Sequence, residues 1–102
     1  VHRGDANACT GMQGLQDAYA MRALGEEHFG EKENHVEVAS TDVIGVPLTM
    51  DIISKGFASL IPTKEERESY SFSGAILKTD LITKETCYEM IIDGKKLATA
   101  GD

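Results

Sequence analysis

Val36-Glu37-Val38-Ala39-Ser40-Thr41-Asp42-Val43-Ile44-Gly45, followed by Pro47-Leu48-Thr49-Met50-Asp51, is the stretch whose reading decides the fold. Val36 to Ser40 predicts a strand, the small polar run ending at Gly45 predicts a tight loop, and Pro47 predicts a helix from about Met50. A strand-to-helix loop is a common location for anion or oxyanion donors. An earlier run, Asn7-Ala8-Cys9-Thr10-Gly11, also closes an apolar stretch in small polar residues, and such turns can present backbone N–H groups to a ligand. Taken alone, Thr41 and Gly45 need do no more than shape a turn.

Outward from that stretch, Gln13 to about Phe29 predicts a helix, rich in helix formers but only roughly periodic, with Gly25 and Gly30 as candidate stops. Glu31 to His35 predicts a charged surface loop. After Pro47, Thr49 is placed to cap the next helix and Asp51 to favour its positive end, with Ile52, Ile53, Phe57 and Leu60 as its buried side. Pro62 ends that segment. Thr63 and Glu66 have capping-box spacing, so a third helix is predicted there, with Ser69, Ser71, Ser73 and Gly74 weighing against an unbroken run to Lys78. Thr86 to Ile92, Asp93-Gly94 and Lys95 to Ala100 predict an antiparallel hairpin.

A chain of 102 residues suits one domain, burying roughly 60% of its unfolded surface. The net charge of −7, from 17 acidic and 10 basic residues, argues against a nucleic-acid partner, which needs clustered Lys and Arg. Much of the acidity, in Glu26 to Glu37 and Glu65 to Glu68, reads as solvated faces. No apolar run is long enough to cross a bilayer, so no membrane partner is expected. Cys9 and Cys87 have no C-x-x-C spacing and no secretory signal precedes them, which makes the cytoplasm the expected compartment. The start at Val1-His2-Arg3 suggests a segment of a longer protein.

Several runs, in order, resemble the ornithine acetyltransferase family, the bifunctional glutamate N-acetyltransferases of arginine biosynthesis. They are Gly4-Asp5-Ala6-Asn7-Ala8-Cys9-Thr10-Gly11, Gly14-Leu15-Gln16-Asp17-Ala18, Ala39 to Gly45 with Pro47 to Asp51, Ala75-Ile76-Leu77-Lys78-Thr79-Asp80, and Ile92-Asp93-Gly94-Lys95. The resemblance implies an α+β fold, part of an αββα sandwich of the N-terminal-nucleophile type. It also implies a precursor that cleaves itself to expose a threonine nucleophile on a second chain, this chain being a segment of the first. Acetyl passes from N-acetylornithine, or from acetyl-CoA as substrate, to that threonine and on to glutamate. No resident cofactor or metal is expected. The expected partners are those small molecules and the complementary chain, in a homo- or hetero-oligomer.

Residue by residue, the resemblance places Thr41 and Asp42 at the oxyanion hole, and Lys78 and Thr79 at the substrate. Asp42 stands where the family has glycine, and Lys78 where it has threonine. An ionised Asp42 at about 4 Å from a developing oxyanion would add on the order of 4 kcal/mol of repulsion at an effective dielectric near 20, so impairment is expected unless its side chain points away. The family's cleavage site does not follow the Ile92 to Lys95 run, so the chain by itself is expected to be inactive.

Other chemistry reads as weak. Cys9, with His2, His28 and His35 as bases, is a conceivable nucleophile, but a buried inert thiol is the plainer reading. The histidines lack zinc spacing. Gly11-Met12-Gln13-Gly14 reads as a helix-opening loop, and Asp17, Asp51 and Asp80 as caps or solvated acids. Two competing classes remain: a noncatalytic binding module derived from the family, and a hotdog-type thioesterase, which needs more long strands than the pattern offers. An incomplete sandwich would leave the hairpin edge and the faces around Leu15 and Ile53 uncovered, favouring a dimer or aggregation.

Overall fold

The computed structural model describes residues 1–32, 34–77 and 81–101, and the chain divides into two compact units, Val1–Ile61 and Pro62–Asp102. In the first unit, β1 (His2–Asp5) leads into α1 (Gly11–Phe29), then β2 (Ser40–Val43) and α2 (Met50–Ser59). The two strands pair in parallel, with His2 opposite Ser40 and Asp5 opposite Val43. Parallel neighbours require a long crossover, and α1 provides it. His2 N–H donates to the Ala39 carbonyl at 2.8 Å and Ala6 N–H to the Val43 carbonyl at 2.7 Å, bracketing the ladder.

This pairing corrects the expected strand boundary. Val36 to Ala39 are not strand, whereas Thr41 and Asp42, expected in a loop, lie within β2. A strand extends only where a partner runs beside it, so the register with β1 overrides the β-propensity of Val36 and Val38. Val36 instead packs on α1: a Cβ added to Gly25 would sit 2.8 Å from Val36 Cγ1.

The buried side of α1 consists of Gly14, Asp17, Met21 and Gly25. These positions follow helical spacing, but only Met21 is a large apolar residue, which is why the hydropathy pattern looked irregular. Gly25 is therefore an interior contact, not a stop. Gly30 ends the helix in the left-handed region at φ 67°, and Glu31 N–H reaches back to the Glu26 carbonyl at 3.0 Å, a Schellman-type closure. Asp17, expected at a cap or in water, is buried and accepts from Gln13 Nε2 at 2.9 Å.

Helix α2 begins where expected, with Thr49 at the N-cap position. The Thr49 carbonyl accepts from the amides of Ile52 and Ile53, but its hydroxyl makes no capping bond. Of the four residues expected on the buried side, Ile53 is buried and Phe57 half-buried, whereas Ile52 and Leu60 are exposed. Ile53 joins Met21 and Leu48 in a small core, edged by Met50 and Phe57. One covered face on a short helix has room for only that stripe.

The second unit holds α3 (Glu66–Ile76) and a hairpin of β3 (Thr86–Ile92) and β4 (Lys95–Gly101). The capping box does not form: Glu65 is the N-cap residue, and Thr63 Oγ1 accepts from the Glu65 amide at 3.0 Å. Helix α3 continues through its serines and Gly74. Ser71 Oγ donates to the Arg67 carbonyl at 3.0 Å within the helix, which meets the hydroxyl's bonding need without breaking it. The hairpin forms as expected, Ile92 opposite Lys95 across Asp93 at φ 49° and Gly94 at φ 74°, the signature of a type I′ turn. Every residue of both strands is exposed.

The chain is thus a mixed helix–strand fold. Gly25→Ala tests the α1 contact: an exposed helix glycine gains about 1 kcal/mol as alanine, but crowding against Val36 should cost about 1–3 kcal/mol. Denaturant unfolding of the purified protein is expected to show net destabilisation.

Candidate oxyanion strand

The candidate site is assembled by β2 and the turn from Ala6 to Thr10. That turn needs unusual backbone, with Cys9 at φ 57° and Gly11 at φ 63°. Its backbone groups bond within the protein: Asn7 N–H donates to Ser40 Oγ at 2.8 Å, Ala8 N–H donates to the Ala6 carbonyl at 2.8 Å, and the Ala8 carbonyl accepts from Gly45 N–H at 2.9 Å. The Asn7 and Ala8 amides are thus engaged within the protein, the first of them tying the turn to β2. Thr10 occupies the N-cap position of α1, yet its hydroxyl donates back to Asn7 Oδ1 at 2.5 Å.

Along β2 the exposure alternates: Ser40 and Asp42 are half-buried, and Thr41 and Val43 are exposed. Strict alternation of side chains belongs to regular extended backbone, which β2 leaves at Asp42, so the two positions are distinguished by exposure: Thr41 is exposed and Asp42 half-buried. Asp42 adopts φ 118°, a region that L side chains rarely occupy and that glycine enters without penalty. The backbone at this position therefore has the shape of a glycine site. Lys78 and Thr79 lie outside the described residues.

Two of the three histidines considered as bases for Cys9 are engaged elsewhere. Cys9 is exposed, correcting the expectation of a buried thiol. His28 Nε2 donates to the Leu60 carbonyl at 2.6 Å, and His35 lies 3.7 Å from Glu31. Among the described residues, no cluster of three or more His, Cys, Asp or Glu side chains is placed to hold a metal. Sequence reasoning passed over Asn7, whose side chain ties the turn to α1. The signal was Asn with Thr three positions and Gly seven positions later, spanning the start of a helix.

The profile of the ArgJ family matches residues 1–101. The arginine biosynthesis bifunctional protein ArgJ of Bacillus cereus is 79% identical over 99% of this chain, and that of Halalkalibacterium halodurans is 48% identical over the same share. The chain spans 25% of the length of each. A crystal structure of the arginine biosynthesis bifunctional protein ArgJ from Bacillus halodurans, 47% identical, superposes with a TM-score of 0.81 over 97% of this chain and 52% of its own.

Asp42→Gly should relieve backbone strain of about 1–3 kcal/mol, less about 0.4–1 kcal/mol of added unfolded-state entropy. Thermal denaturation is expected to show a gain of about 1 kcal/mol. A loss would mean that the half-buried carboxylate contributes more than the strain costs.

Proposed function

The chain belongs to the ArgJ family, and from that premise we propose that it is an alpha-chain segment of a cytoplasmic acetyltransferase of arginine biosynthesis. The donor is N-acetylornithine or acetyl-CoA, and the acceptor is glutamate. A complementary chain carries the threonine nucleophile, in keeping with the 25% of the relatives' length spanned here. In this reading the strands contribute to an αββα sandwich completed by that chain, within a homo- or hetero-oligomer.

The observation that carries the proposal is Thr41 on the exposed face of a strand strapped at both ends. Attack of a threonine hydroxyl on the acetyl carbonyl creates a tetrahedral oxyanion. A hydroxyl held in advance stabilises that charge without reorganising during the reaction. In this reading the half-buried Asp42 carboxylate must be directed away from the charge, because at about 4 Å it would add repulsion on the order of 4 kcal/mol at an effective dielectric near 20. Lys78 would attract the carboxylate that N-acetylornithine and glutamate share, and Thr79 would complete that contact. The competing reading, a noncatalytic binding module of the same descent, is favoured by one observation: Asp42 at a position shaped for glycine.

The test begins with intact mass of the gently purified protein, seeking a second polypeptide that begins with threonine. Acetyl transfer from N-acetylornithine to glutamate is then followed. Thr41→Val is expected to lower kcat by about 10²–10³-fold with KM little changed. Absence of transfer by the two-chain protein would leave the binding module.

A further inference from the structure

The Asn7 side chain makes two bonds that the reading of Thr41 does not use. Oδ1 accepts from Thr10 Oγ1 at 2.5 Å, and Nδ2 donates to the Gly14 carbonyl at 2.6 Å. The amide has one workable orientation. The Gly14 carbonyl only accepts, so the nitrogen must face it and the oxygen is left for the Thr10 hydroxyl. Aspartate has the acceptor without the donor, and alanine has neither. Gly14 is fitted to the same contact, because a Cβ there would lie 2.4 Å from Asn7 Oδ1 and 1.8 Å from Thr10 Oγ1.

The backbone of the same residue is the one that reaches β2. Asn7 N–H donates to Ser40 Oγ at 2.8 Å, a contact between positions 33 apart in sequence. Ser40 immediately precedes Thr41. On the other side of Thr41, Ala6 N–H holds the Val43 carbonyl at 2.7 Å and Gly45 N–H holds the Ala8 carbonyl at 2.9 Å. The residues from Ala6 to Ala8 thus grip β2 before and after Thr41, and the Asn7 amide anchors that grip to the first turn of α1.

We propose that Asn7 is a positioning residue for Thr41, a role that rests on the reading of Thr41 as an oxyanion donor. It fixes the Ala6 to Thr10 turn against α1, and the turn in turn fixes where β2 presents its hydroxyl. Displacement of a reacting group by about 1 Å costs on the order of 10²-fold in rate. The expected signature is therefore a loss in kcat that requires the Thr41 hydroxyl.

Two measurements on the complete protein test this separately. Residue-resolved amide exchange comes first, because it needs no activity. Asn7→Ala should speed exchange at Thr41 to Val43 by about tenfold or more and leave the Thr86 to Ile92 strand unchanged; unchanged exchange in β2 overturns the proposal. Thr10→Val removes a single bond and keeps Asn7, so it should give a smaller effect at the same amides, and it carries both measurements where Asn7→Ala does not fold. In the acetyl-transfer assay, Asn7→Ala should lower kcat by about 10–100-fold with KM nearly constant, and should add no further loss in a Thr41→Val background. A full additional loss in that background overturns the positioning role while preserving that of Thr41. No loss on Thr41→Val overturns the site reading and the positioning role with it, and is recognised because amide exchange in β2 still responds to Asn7→Ala.

Discussion

Two short strands paired in parallel across a helix are the constraint on which the first unit depends. A ladder of four residues on each side is too short to hold itself against the cost of ordering the chain. It is reinforced where it ends. The Ala6 to Ala8 turn bonds to Val43, Ser40 and Gly45, so the parallel pairing continues as a network of turn contacts. α1 must start close to the end of β1 for this to occur, and the positive φ at Cys9 and Gly11 makes the chain change direction there. Strand register, turn conformation and helix start are therefore one problem with one solution.

Packing along the buried side of that helix follows from small residues. Gly14 admits the Asn7 and Thr10 side chains, and Gly25 admits Val36. The apolar core of Met21, Leu48 and Ile53 is modest, since burying such a side chain contributes about 1.5–3 kcal/mol. Close backbone approach replaces bulk, a means of packing sensitive to single methyl groups. The hairpin of the second unit is organised differently: its Asp93-Gly94 turn sets the pairing locally, and every residue of its strands is exposed.

This contrast explains what could be read from sequence. The hairpin, α2 and the end of α1 at Gly30 carry local signals: a type I′ turn pair, a proline ahead of a capping position, and a glycine able to enter the left-handed region. β1 carries none, because His2-Arg3-Gly4-Asp5 has neither apolar alternation nor β-branched residues. Without β1 there was no partner to move the start of the second strand from Val36 to Ser40. The inward stripe of α1 was equally hidden, since glycine and aspartate do not register as core in a hydropathy pattern. At the candidate site, Thr41 was legible through a family motif, but the positive φ of Asp42 was not, because an aspartate does not announce a glycine-shaped backbone.

Two effects that the sequence joins at Asp42 are physically separate. The backbone penalty comes from a side chain at φ 118° and is present whichever way the carboxylate points. The electrostatic penalty falls with distance and with any solvent between the charges, so it depends entirely on the face. A carboxylate turned away from Thr41 keeps the first and reduces the second, so an aspartate in a glycine-shaped position lowers stability whether or not it meets a charge. Both effects are set by where β2 lies, and its register with β1 is held by the same turn that bears Asn7.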